Sequence, residues 1–569
     1  VWSYYCWWGA IGFGWLSTPS NGSGGRSGQA PTAAVFVSRQ APVMVSLLSN
    51  PDRLAALRLA RVSPAKRQRA RAELEQLKQT LLGELTYEQD VQPWIGNEIT
   101  AAVTNVDVDR NGENGQQPGY LLAIATRDPQ RSREFLQLFW QKRAIAGTDL
   151  VFEQYSGVQV IYGKERQRIV KPPTPSKTNS TKQAVDQPEP NSPDTPTLAT
   201  AVVGDRFVLF ANYPKVLRDA INNVQATELN LTSIDAYQQT VQRLSKESIG
   251  LVFSNLAPLG DWLGGDPSLP FDTLLYQHLG LAVEVDRQGL VAPALLTAPK
   301  NQILAATKLT DDPFQALQFI PASSSLVAVG DDLQSAWTKI QTGVAGDDRL
   351  VKLVEQPFLD LQQRWQIDVP KQVFPWVQSE YALGLVPDAS PKPDWVFVAR
   401  RSPAAAEAIA EFDAIAQKQG LSTGTLMLGD RPVSAWTKLS TTSSRSRRQT
   451  PTLSLQTDVQ GVHTTVDDYE IFATSIEAIS QALSPANQSL LAAEPFQQAI
   501  APFHTPRNGY FYIDWATLNQ VIKQQLPIAR LLEAVGQPIL SHIRSIAITN
   551  YGTEANGQYG AIGVQLQDP

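Results

Sequence analysis

The sequence predicts an α+β fold made of two tandem homologous units, each a mainly antiparallel sheet with helices packed on one face. Two observations lead to this: an internal echo that keeps its order over most of the chain, and strand patterns joined by turns rather than by crossover helices. The echo is clearest at QPWIGNEITAAV, where Pro93, Trp94 and Glu98 return as Pro375, Trp376 and Glu380 of FPWVQSEYALGL. Repeats of this kind have to be read before single motifs, because they set the architecture.

The echo extends in both directions. Upstream, APVMVSLLSNPDRL parallels SSLVAVGDDLQSAW, and each leads into a helical pattern. Downstream, GYLLAIATRDPQRSREFLQLF parallels DWVFVARRSPAAAEAIAEFDAI. Both read as a strand, a proline at a helix start and an amphipathic helix. GDRFVLFANYPKVLRDAI and DDYEIFATSIEAISQAL repeat strand into helix, and LGLAVEVDRQGLVAPALLTA and RSIAITNYGTEANGQYGAIGVQL close each copy with two strands around a turn. Turn-linked pairs such as EITAAVTNVDVDRNGENGQQPGYLLAIAT favour antiparallel pairing. The Pro-Trp pair is expected to end a helix and fix the start of a strand, with the indole filling the core. Each glutamate is expected to make a polar contact there.

The expected division is residues 31–305 and 306–569. The first copy is longer by an insertion, 164–196, rich in Pro, Ser, Thr and Lys and poor in aromatics. That composition predicts a disordered surface loop. STTSSRSRRQTPT is its shorter counterpart.

The first residues predict placement. Residues 1–16, VWSYYCWWGAIGFGWL, carry no charge and are crowded with aromatics, and residues 17–30 form a Gly/Ser-rich tether. As a helix the apolar stretch would span roughly 24 Å at ~1.5 Å per residue, short of the ~30 Å hydrocarbon core. Tryptophan and tyrosine gather where a membrane helix leaves lipid, so the expectation is a membrane anchor that is the end of a longer span. The alternatives are a signal remnant or a buried strand. A large body behind a flexible tether is expected to lie outside the cytoplasm, in a periplasm or thylakoid lumen.

Composition removes several function classes. The 569 residues carry a net charge of -6, and 43% are hydrophobic. The chain is therefore a folded protein with no global field for nucleic acid. Cys6 is its one cysteine, which rules out an intrachain disulfide and thiolate metal sites. No phosphate-binding glycine loop or nucleophile elbow follows a strand pattern. His278, His463, His504 and His542 are scattered without paired ligand spacing. Asp107, Asp109, Asn111 and Gly112 begin like a calcium loop, but Pro118 stands where a bidentate glutamate belongs. No enzyme, cofactor or metal site is expected.

Two basic clusters are the candidate contact residues. They are Arg58, Arg61, Lys66, Arg67, Arg69 and Arg71 on a helical pattern, and Arg445, Arg447 and Arg448 in the second-copy loop. Such clusters read first as a solvated helix face and an exposed loop; the functional alternative is contact with anionic lipid headgroups or an acidic protein partner, since clustered Lys and Arg near a membrane contribute roughly 1 kcal/mol each.

The run FVSRQAPVMVSLLSNPDRLAAL, followed by VQPWIGNEITAAV, resembles the opening of a cyanobacterial family of uncharacterised proteins carrying a domain of unknown function. The resemblance implies a membrane-anchoring helix and a large extracytoplasmic body. It brings no activity or catalytic residue. The expected function is a membrane-tethered, non-enzymatic binding or scaffold protein, with a carrier of lipid or another hydrophobic ligand as the alternative.

Overall fold

A computed structural model describes residues 30–53, 65, 67–69, 71–72, 75, 85–164, 197–245, 248–263, 275–286, 289–344, 351, 355, 359, 362, 367–387, 393–444, 452–517 and 543–567. The first strands are β1 (Val43–Leu47), β2 (Ile95–Asn105), β3 (Gly119–Thr126), β4 (Asp149–Tyr155) and β5 (Val158–Lys164). They are followed by β6 (Ala199–Val203), β7 (Phe207–Ala211), β8 (Ser248–Asn255), β9 (His278–Val285) and β10 (Gly289–Thr297). The second series begins with β11 (Leu326–Gly330), β12 (Tyr381–Val386), β13 (Asp394–Arg400), β14 (Ser422–Leu428) and β15 (Arg431–Ser444). It ends with β16 (Thr452–Val466), β17 (Tyr469–Ala473), β18 (Tyr510–Asp514), β19 (Ile543–Glu554) and β20 (Gly557–Leu566).

All twenty strands of the described residues belong to one sheet, and every pairing is antiparallel. In space the order is β4, β5, β6, β7, β3, β2, β1, β8, β9, β10, then β20, β19, β18, β11, β12, β13, β17, β16, β15, β14. The expectation of two separate tandem units is therefore wrong. The halves meet at a seam where β10 pairs with β20 from Gly289 opposite Gln565 to Thr297 opposite Gly557. Each of these strands would otherwise present a row of unpaired backbone groups, and pairing them removes two open edges.

The expectation that helices cover one face is corrected as well. Strand residues alternate between faces, yet β3, β7 and β8 are buried along most or all of their length. Leu121, Ala123, Leu209, Leu251 and Phe253 belong to one core, while Leu122, Ile124, Val208, Phe210 and Val252 belong to another on the opposite face. Helix α1 (Pro129–Ile145) supplies Phe135 and Leu136 to the second core. Helices α2 (Pro214–Gln225) and α3 (Asp235–Gln242) cover the first. Asp128 caps α1 by accepting from the Arg131 N–H, and Pro129 sits in its first turn.

The helices that follow are α4 (Leu256–Trp262), α5 (Leu333–Val344) and α6 (Pro403–Lys418). The last described are α7 (Ile476–Ala482) and α8 (Glu494–Ile500). Packing of α3 and α8 matters for the seam. A Cβ at Gly280 of β9 would lie 2.0 Å from the Thr240 hydroxyl of α3. At Gly563 of β20 it would lie 3.2 Å from the Phe503 ring that follows α8. The absent side chains let both segments sit close on one face, one on each side of the seam.

Among the described residues no helix is long and apolar enough to cross a membrane. The expected anchor, residues 1–16, lies outside the described residues, as do residues 17–29 of the tether and 165–196 of the insertion.

Candidate functional site

Between those two segments a groove of about 620 Å³ opens over the seam. Its floor is β10 and β20. Val291 stands opposite Gly563 and Pro293 opposite Ala561, and directly opposed residues share a face. The floor is low because it is built from Pro293, Ala294, Gly560 and Ala561. Pro293 also explains a gap in the neighbouring ladder: β9 and β10 pair at Glu284 with Val291 and at Leu281 with Ala294, but not between. A proline has no N–H to give there.

The walls are polar and aromatic. Arg243, immediately after α3, lays its guanidinium 4.0 Å from the centre of the Tyr559 ring. On the other side His504 stacks on Tyr551, with centroids 3.9 Å apart and planes at 23°, and the backbone N–H of His504 donates to the Tyr551 hydroxyl at 3.4 Å. Burial holds that hydroxyl above its ordinary range, so it stays protonated. Glu284 projects from β9 and accepts from the Ser248 hydroxyl at 3.3 Å, and Glu554 stands at the end of β19. None of Arg243, Glu284 and Glu554 pairs with an opposite charge among the described residues. Pockets of this size usually hold ligands by an aromatic body and a few placed polar groups.

The repeated glutamates lie elsewhere and act on backbone. Glu98 accepts from the N–H groups of Thr32 and Ala33 at 3.1 and 2.7 Å and from the Thr32 hydroxyl at 2.6 Å, capping the 3-10 turn Thr32–Phe36. Glu380 accepts from the Ala316 N–H at 2.6 Å in the turn Gln315–Phe319, and from Arg400 and the Tyr469 hydroxyl at 2.7 Å each. Pro93 and Pro375 precede the buried indoles of Trp94 and Trp376. The Trp94 N–H donates to the Asp90 carbonyl at 2.7 Å.

Of the basic clusters, Arg67, Arg69 and Arg71 are exposed on helical residues. Arg58, Arg61, Lys66, Arg445, Arg447 and Arg448 lie outside the described residues. The acidic hairpin is satisfied internally. Asp109 accepts from the Asn111 N–H and the Asn114 amide, Asp107 accepts from the Gln117 N–H, and the Lys215 ammonium donates to the Val108 carbonyl. Burial, and then a hydrogen bond with Asp109, hold the Asp107 carboxyl above its usual range.

Sequence reasoning missed every groove residue except His504, which it treated as one of four scattered histidines. The available signal was the run of small residues Gly560, Ala561 and Gly563 in a strand pattern, which marks close approach by something above it.

Residues 5–566 match the family described as protein of unknown function (DUF3352). No curated protein matches the chain. Two solved structures, crystal forms III and I of TP0453, are similar to it at 9% identity with TM-scores of 0.23 and 0.21, each covering 48% of this chain and 81% of that one.

Proposed function

This chain belongs to the DUF3352 family of proteins of unknown function, and on that footing we propose that it is a non-enzymatic binding protein whose ligand site is the seam groove. The observation that carries the reading is the set of three charged side chains, Arg243, Glu284 and Glu554, which have no ionic partner among the described residues and stand around an aromatic-walled groove of ligand size. Exposed charges in solvent are cheap, but several converging on one concave site are a recognition pattern.

The membrane tether and the extracytoplasmic placement belong to the same proposal. They are supported by the uncharged aromatic stretch 1–16 and the Gly/Ser spacer behind it. A cyanobacterial, membrane-anchored branch of the family is supported by the run from Phe36 to Leu57. The carrier alternative has less support, because the groove walls are charged and half open rather than aliphatic and closed.

The test is native mass spectrometry of the full chain purified from its source membranes, alongside Arg243→Ala and Tyr559→Ala variants. A bound mass that leaves on denaturation and is absent from both variants supports the proposal. A bound mass unaffected by either variant, or a clean unliganded mass in all three, overturns it.

A further inference from the structure

Resting on that reading of the groove, we infer that its ligand is a short zwitterionic peptide of about four residues, lying diagonally over the seam with its ammonium at Glu284 and its carboxylate at Arg243. The argument is one of position and charge. Glu284 pairs across the ladder with Val291, which pairs with Gly563. Arg243 covers Tyr559, which pairs with Leu295. The two charges thus stand four ladder positions apart along the strands, about 13 Å at ~3.3 Å per residue, and two strands apart across them, about 10 Å at ~4.8 Å per strand, so the ligand runs diagonally over roughly 16 Å with the ion-pair contact at each end included. An extended peptide advances by a similar ~3.3–3.6 Å per residue, so about four residues bridge the pair.

Each end has chemistry suited to its group. A guanidinium whose carbon lies 4.0 Å over a tyrosine ring centre still carries N–H donors that suit a carboxylate. Glu284 is half-buried and, among the described residues, accepts from the Ser248 hydroxyl, leaving acceptor capacity for an ammonium. Between them the floor of Pro293, Gly560 and Ala561 admits an extended backbone, and the His504–Tyr551 stack offers a flat surface for an apolar side chain.

The experiment is calorimetric titration of the full chain with tetra-alanine, its N-acetyl form, its C-terminal amide and glycerophosphoethanolamine, a zwitterion of lipid headgroup type. The expected result is binding of free tetra-alanine, with each blocked form weakened at least tenfold and no binding of glycerophosphoethanolamine. Arg243→Ala is expected to erase the penalty of amidation alone, and Glu284→Gln the penalty of acetylation alone. Because these variants are read as a change in selectivity, a folding defect cannot imitate the result. Equal binding of free and blocked peptides overturns the inference. So does binding of glycerophosphoethanolamine instead of peptide, or failure of all four probes in a chain that carries a groove-dependent native mass. That last outcome leaves the binding function standing and removes only the peptide.

Discussion

The guanidinium of Arg243 rests 4.0 Å from the centre of the Tyr559 ring, and this contact ties the end of α3 in one half of the sheet to β20 in the other. Arg243 is exposed and Tyr559 half-buried, and a cation over a ring at such a solvent-facing site is worth about 0.5–1 kcal/mol. Tyr559→Leu keeps apolar area but removes the π face. It is expected to lower unfolding free energy by no more than about 1 kcal/mol while weakening ligand retention strongly, as read by urea melts and native mass spectrometry side by side.

The two buried glutamates separate by partner. Glu380 binds a cation, Arg400, and a phenol as well as backbone, whereas Glu98 binds backbone and hydroxyls alone. Hydrogen bonds to charged groups contribute about 1.5–3 kcal/mol. Glu380→Gln is therefore expected to destabilise by about that amount and by more than Glu98→Gln, in chemical denaturation at neutral pH.

A pH signature belongs to Glu153. Two hydrogen bonds from the Arg218 guanidinium, at 2.8 and 2.7 Å, hold its carboxyl below the ordinary value of 4.5 against an opposing effect of burial. A depressed carboxylate stabilises the folded state above its unfolded pKa and loses that contribution as pH falls through the folded one. The stability gap between the native chain and Glu153→Gln should be constant near neutrality and close as pH drops below 4.5. Denaturant midpoints taken from pH 7 downward check this, and a gap that widens in acid refutes it.

The notch under α3 can be probed directly. Gly280→Ala puts a carbon 2.0 Å from the Thr240 hydroxyl, whereas Gly112→Ala meets nothing within 4 Å. Overpacking costs typically ~1–3 kcal/mol. Gly280→Ala is expected to lose that much stability and also ligand, because α3 carries Arg243 away with it. Gly112→Ala should change neither.

What the sequence made legible follows from what local pattern can encode. The Pro-Trp-Glu echo could be read because Glu98 and Glu380 each cap a turn that lies far away in sequence but always in the same relation to the following strand. The seam could not. Pairing between β10 and β20 is made by backbone groups common to every residue, so GLVAPALLT and GQYGAIGVQL carry no mark of being partners. Burial on both faces did leave a trace: β8, SIGLVFSN, is buried throughout and lacks the alternation of a half-exposed strand. The groove residues were hidden because Arg243, Glu284, His504 and Glu554 are single residues on four separate segments, brought together only when the halves join.

Joining the halves into one sheet is the claim on which the groove depends, and amide hydrogen exchange of the full chain tests it most directly. Interior strands should share the protection of the sheet around them. The prediction is that amides of Gly289–Thr297 and Gly557–Leu566 exchange as slowly as those of the adjoining β9 and β19. Fast exchange confined to β10 and β20, with their neighbours still protected, would show two open edges instead of a seam and contradict the account.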